Sequence, residues 1–429
     1  MVSDSRPSGR SEEPAETAGD TEAEGRDGGT SGVQKTLPGK PAPEKVPWSK
    51  RLARAGILAF VTLGLAEITA CVGGRMLAAR GMFYQPASSA DLAEYMKTRD
   101  PVLGWPSPVQ PKGDVDASGS RIVPAFPDPA TPACVSLYGD SFTYGEDVDA
   151  EHAWGNVLSK NLGCRVANYG VGGYGTDQAL LRFRQKKEDA AKTVVLGILT
   201  ENILRNVNSY RELLAPGQPL SFKPRFLVGP DGELQLVPIL SPKQEELAKV
   251  LESPEKYFEH DYFIPGGPSG VVKLGFPYLG ALLRLRTNYK MRAAQRGEPS
   301  HAAFYRPDHD SRGLAVTSAI ARTFVKEAKD RGAWGGVVII PLPADLEYLK
   351  KQGTAAHAPL VAELQKAGVP YVDTSEKFLA TLSGKDPCTL YVKCRGGHFN
   401  DEGYRLLAEY VQGWLRDQKQ PQARSATGQ

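Results

Sequence analysis

Two uninterrupted apolar runs, Thr193–Leu199 (TVVLGIL) and Gly336–Pro341 (GVVIIP), constrain the fold more than any other feature of the chain. Successive side chains of a strand point to opposite faces, so a strand that is apolar at every position needs an apolar layer on each side. Cys134–Tyr138, Arg165–Tyr169 and Pro370–Asp373 read as shorter strands of the same kind. Amphipathic stretches separate them: 153–162, Thr176–Ala191, Gly313–Arg331, Ala356–Ala367 and the closing Asp401–Asp417. Strand and helix alternating at this spacing predict an α/β fold, a parallel sheet with helices on both faces. A net charge of +3 is too small to indicate a nucleic-acid partner.

One region breaks the alternation. Residues 207–311 form an insertion over the edge or mouth of the sheet, with Pro224–Leu236 reading as a hairpin around Pro230-Asp231-Gly232. The N-terminal tail, 1–50, is rich in Glu, Asp, Gly, Ser and Thr over residues 1–30. They carry too little apolar surface to offset ordering entropy and are expected to be disordered. Residues 51–77 hold an apolar stretch, 55–74, of the length that spans a bilayer. Lys50, Arg51 and Arg54 before it favour a cytoplasmic N-terminus, a bias that Arg75 and Arg80 weaken. Ile68–Cys71 also has the form of a lipoprotein cleavage box, which the long leader and Glu67 disfavour. The Glu67 carboxylate is costly in lipid, so a second helix, the headgroup region or protonation has to relieve it. A Pro-rich connector, 78–131, leads to the main domain, 132–417, and residues 418–429 form a disordered tail. This organisation predicts a single-pass protein of the inner membrane with its main domain outside the cytoplasm. Of five cysteines, Cys134 with Cys164 and Cys388 with Cys394 are placed to pair; four free buried thiols are the alternative.

Chemistry concentrates where strands end. Gly139-Asp140-Ser141-Phe142-Thr143 follows the first strand directly, and in parallel α/β sheets ligands bind beyond the carboxyl ends of strands. Thr143 stands where a G-x-S-x-G elbow has its last glycine, which disfavours an ordinary α/β-hydrolase. The second strand ends in Asn168 and the glycines Gly170, Gly172, Gly173 and Gly175. Three of these match a G-x-G-x-x-G dinucleotide turn. The context opposes that reading, because the turn should follow the first strand and an acidic residue should end the next one. Asn202 closes the third strand, and His398 lies in a glycine-rich loop before the last helix. The other histidines, at 152, 260, 301, 309 and 357, show no partners in sequence; Asp308-His309-Asp310 lacks further ligands at metal-site spacing.

Together the four segments resemble the SGNH (GDSL-type) hydrolases across roughly 132–417, and an apolar N-terminal helix followed by Asp100-Pro-Val-Leu-Gly104-Trp105 looks like a membrane-anchored bacterial subgroup. The resemblance implies a flavodoxin-like three-layer α/β/α sandwich. It implies Ser141 as nucleophile and His398 as its base, with an oxyanion hole from the Ser141 and Gly173 N–H groups and the Asn202 side chain. The expected activity is hydrolysis of O-acyl esters, acetyl esters first, on a small molecule, carbohydrate or lipid outside the cytoplasm. It needs no cofactor and no metal. The alternatives are an envelope-glycan O-acyltransferase with the same site, and a non-catalytic protein of this fold. One departure stands out: the family places an Asp three residues before the His, and here that residue is Arg395. The triad acid is therefore unassigned, with Asp373 and Asp386 within reach only if the loop folds back. Oligomeric state is not legible.

Overall fold

The computed structural model describes residues 47–104, 113–214, 220–394 and 396–426, and side chains only as far as Gln418. The expected N-terminal disorder, Trp105 and Arg395 fall outside the described residues. The Cα packing divides the chain into two units, Met1–Ala59 and Phe60–Gln429.

Five strands pair in parallel: β1 (Ala133–Tyr138), β2 (Arg165–Asn168), β3 (Thr193–Leu199), β6 (Trp334–Ile340) and β7 (Tyr371–Asp373). Their order, β2-β1-β3-β6-β7, is the flavodoxin-type order, in which the first strand to be laid down sits between the second and third. The apolar runs behave as their composition requires. In β3, Val194, Leu196 and Ile198 enter one core and Val195 and Leu199 the other. In β6, Val337 and Ile339 face the first core, Val338 and Ile340 the second. The first layer packs helices Thr176–Gln185, Gly313–Asp330 and Ala358–Lys366 through Leu180, Phe183, Ile320, Phe324 and Leu364. The second packs Trp154–Leu162, Ser375–Leu382 and Asp401–Ala426 through Trp154, Phe378, Leu407 and Trp414. Each such fully buried side chain contributes roughly 1.5–3 kcal/mol.

Several boundaries differ from expectation. The helix after β2 stops at Gln185; beyond it, Asp189 turns back to accept hydrogen bonds from Ser136 (2.9 Å) and Tyr138 (2.6 Å). The closing helix is Asp401–Ala426, so the tail expected at 418–429 is helical as far as Ala426. The connector is no bare linker: it contains helix Ser89–Thr98, and Leu92, Tyr95 and Leu103 are buried in the first core. Both expected disulfides are present, Cys134–Cys164 and Cys388–Cys394, with Cα–Cα separations of 6.1 and 4.7 Å.

The insertion contributes the antiparallel pair β4 (Arg225–Val228) and β5 (Leu234–Val237) and a buried aromatic cluster, in which Tyr210, Phe222 and Phe258 pack at centroid distances of 5.0–5.2 Å. Glu212 is buried beside them, and burial pushes its carboxyl from 4.5 up to about 8. A carboxyl raised on folding binds its proton more tightly in the native state. The native protein is therefore penalised once pH exceeds the unfolded value, and the penalty is complete above the folded one. Stability is expected to fall between pH 5 and pH 9 by on the order of a few kcal/mol through this group alone. Glu212→Gln should flatten that slope in thermal unfolding of the full chain; an unchanged slope would show that Glu212 does not drive it.

Candidate active site

Ser141 begins a four-residue helix, Ser141–Tyr144, directly after β1. Side chains hold this short helix at both ends. Asp140 is its N-cap, with Oδ1 accepting from the Phe142 N–H at 3.0 Å. At the other end, Trp154 Nε1 donates to the Thr143 carbonyl at 2.8 Å, as does Asn168 Nδ2 at 2.8 Å. The glycine before the serine is a packing requirement: a Cβ on Gly139 would overlap the Thr143 side chain, which fills the groove between Gly139 and Gly197 of β3. The Ser141 hydroxyl makes no hydrogen bond among the described residues.

Asp140, 1% exposed, joins this turn to the third strand. Its Oδ2 accepts from Asn202 Nδ2 at 3.0 Å and from Arg205 Nη1 at 3.3 Å. Asn202 Nδ2 also reaches the Tyr174 carbonyl at 3.3 Å, and its Oδ1 accepts from the Leu199 N–H at 2.8 Å. Three of the expected residues, Ser141, Gly173 and Asn202, are thus drawn together through Asp140 and Tyr174. Gly173 has φ +77°, and a Cβ there would collide with the Arg211 guanidinium. The backbone N–H groups of Ser141 and Gly173 donate to no described residue, which is the state an oxyanion hole requires. Asn202 Nδ2, in contrast, already donates to Asp140 and, over the longer distance, to the Tyr174 carbonyl. That carbonyl keeps Arg205 Nη1 as a donor at 3.0 Å.

His398 meets this group from the far side. Its loop is tied down by the Tyr391–Phe399 bridge and a Val392 N–H to His398 carbonyl bond of 2.9 Å, and the Cys388–Cys394 disulfide closes just ahead of it. The imidazole packs on Phe142 at 4.8 Å between ring centroids. Its Nδ1 lies 2.9 Å from Asp147 Oδ2, which also accepts from the His398 backbone N–H at 3.2 Å. These bonds hold the Asp147 carboxyl below its ordinary value. The carboxylate at Nδ1 thus comes from the segment of Ser141, six positions after it, and not from the histidine's own loop.

Asp147 is held at φ +69°, a left-handed conformation that costs most side chains about 1–2 kcal/mol and Asp less. Neither acid suggested by the sequence reaches His398. Asp373 accepts from His357 at 2.7 Å, and Asp386 caps the turn at Cys388 at 2.8 Å. Nor are all the other histidines without partners: His301 pairs with Asp345 at 2.7 Å, and both are buried. Asp345 also accepts from Thr200 Oγ1 at 2.5 Å beyond β3, and Asp373 ends β7.

His398 Nε2, the ring nitrogen turned away from Asp147, faces Glu146 Oε2 at 3.5 Å and makes no hydrogen bond to Ser141. Burial, opposed by the nearby imidazole, raises the Glu146 carboxyl. Nucleophile–base contacts are often loose in unliganded hydrolases and tighten with substrate. A narrow cleft beside Gly173 is walled by Glu201, Arg205 and Arg211, with Ser221, Phe222 and Lys223 from the insertion. Lys223 is neutralised by its ion pair with buried Asp177.

No protein-family model and no curated protein matches the chain. Solved structures do. A lipolytic protein of the G-D-S-L family from Desulfitobacterium hafniense is 14% identical over 65% of this chain and 98% of its own, with TM-score 0.30. An acetyl xylan esterase is 12% identical over 65% and 98%, with TM-score 0.32. An acetylxylan esterase from Geobacillus stearothermophilus is 12% identical over 66% and 93%, with TM-score 0.31. The sheet order β2-β1-β3-β6-β7 with helices on both faces is a flavodoxin-type three-layer α/β sandwich, in which Ser141, Gly173 and Asn202 follow the carboxyl ends of β1, β2 and β3.

Proposed function

We propose that the chain is a serine esterase of SGNH type that cleaves O-acyl esters through an acyl-enzyme. The observation that carries this reading is the Asp147–His398 pair beside Ser141, next to two unengaged backbone N–H groups. With Nδ1–H donated to Asp147, the Nε2 lone pair is left to act as base. His398 takes the Ser141 proton as Oγ attacks the ester carbonyl. The negative oxygen is received by the Ser141 and Gly173 N–H groups, joined by Asn202 once it leaves Tyr174. Collapse expels the alcohol, which takes its proton from His398. Water then attacks the acyl-enzyme carbonyl as it gives a proton to His398, and collapse of the second tetrahedral intermediate releases the acid while His398 returns that proton to the leaving Ser141 Oγ. Every step is carried by this chain's own side chains and backbone.

The substrate class we assign is an acetylated carbohydrate or lipid at the outer face of the inner membrane. Helix Trp48–Ala78, 31 residues long and apolar, supports an anchor by length and composition. Two disulfides support an oxidising compartment. A fluorophosphonate applied to the detergent-solubilised full chain is expected to label the peptide carrying Ser141, and acetylated xylan or peptidoglycan fragments to release acetate. An unlabelled, folded protein would move the reading to a non-catalytic role, and acetyl transfer to an added glycan in preference to water would make it a transferase.

A further inference from the structure

Glu67 lies well inside the apolar stretch of the N-terminal helix, and the insertion answers it. Its Oε2 accepts from the Tyr278 N–H at 2.6 Å and its Oε1 from the Leu279 N–H at 3.3 Å. These are the first donors of helix Tyr278–Leu285, which its own N-cap, Pro277, does not satisfy. A carboxylate and a bare helix N-terminus are each costly away from water, and each relieves the other. From there the short helix runs back along the long one: Ala281 and Leu285 pack with Ala78, Phe83 and Val272, and Leu274 covers Gly74.

The faces turned outward are apolar. Phe276 is 79% exposed and Leu283 58%, beside the exposed Ile68, Val72 and Met76 of the long helix. Beyond this surface stand Arg75, Arg80, Arg284 and Arg286, all exposed and without ion-pair partners among the described residues. Along the helix axis Glu67 sits about 12 Å below Arg75, so arginines held among the phosphates place the Glu67 carboxylate among the acyl chains.

We propose that Leu274–Leu285 is a second membrane contact, an interfacial helix seated in the phospholipid leaflet on the catalytic side, with Phe276 deepest and the four arginines at the headgroups. This rests on the reading that Trp48–Ala78 crosses the bilayer. The occupant is lipid because the apolar surface is continuous with the span and its rim is uniformly cationic.

The test uses the full chain carrying Cys71→Ala, reconstituted in mixed phosphatidylcholine–phosphatidylglycerol vesicles, with a nitroxide at Leu283→Cys. Val72→Cys serves as the reference within the span, and Leu236→Cys, exposed on β5, as the aqueous one. Collisions with oxygen should exceed those with a water-soluble nickel chelate several-fold at Leu283, as at Val72, and the order should reverse at Leu236. A Leu283 signal matching Leu236 while Val72 remains lipid-like overturns the insertion alone. Aqueous signals at both Leu283 and Val72 overturn the anchor and the insertion together.

Discussion

Ser141→Ala is expected to lower kcat/KM for an acetyl ester by about a millionfold, as is His398→Ala, and the double variant should be no worse than either. Nucleophile and base act as one unit: without the base the hydroxyl is not activated, and without the hydroxyl the base has nothing to activate. What survives in all three is the oxyanion hole and binding, typically a few thousandfold over water. The fold should tolerate the changes. Ser141 makes no side-chain hydrogen bond among the described residues, and its helix is fixed by Asp140, Trp154 and Asn168 instead. Steady-state kinetics with thermal unfolding as a control would check this. Additive losses in the double variant would mean the two residues do not share a step, and a Ser141→Ala protein that kept its activity would place the nucleophile elsewhere.

The parts of this site legible in sequence are those that strand ends deliver. Ser141, Gly173 and Asn202 follow β1, β2 and β3 at short distances, and the topology of a parallel sheet brings such positions to one edge whatever the details. His398 was legible from its glycine-rich loop before a helix. Asp147 was not, because the family pattern places the acid in the histidine's own loop, 251 residues away in sequence. A signal was present: the acidic pair Glu146-Asp147 follows Gly145, which ends the serine's helix at φ +88° and turns the chain back. The buried His301–Asp345 and His357–Asp373 pairs are illegible in sequence for a different reason. They join residues 44 and 16 positions apart, and no local pattern announces a pairing made by packing. The insertion was legible as a break in periodicity but not in its role. The Glu67 carboxylate posed a question that only helix Tyr278–Leu285 answers.

Asp147→Asn should lower kcat/KM by about a thousandfold or more, while Asp386→Asn should leave it nearly unchanged. A carboxylate at Nδ1 does two things: it fixes the tautomer that leaves Nε2 free as base, and it stabilises the imidazolium formed in the transition state. An amide can turn its NH2 toward Nδ1, which then accepts, so the proton moves to Nε2 and the base is lost. Changes of this kind cost about ten-thousandfold where the acid is buried. Asp147 is 43% exposed, so water replaces part of its effect and the lower figure applies. The asparagine is a fair substitute in shape, since it accepts the left-handed backbone as readily as aspartate does. The loss should fall on kcat with KM little changed, because Asp147 acts on the transition state through His398 and lines no part of the cleft beside Gly173. Its carboxyl is already held low by the imidazole, so its own protonation should not limit activity until well into acid. A kcat unchanged in Asp147→Asn would reduce the site to a Ser141–His398 dyad and leave the φ +69° at Asp147 without a catalytic reason.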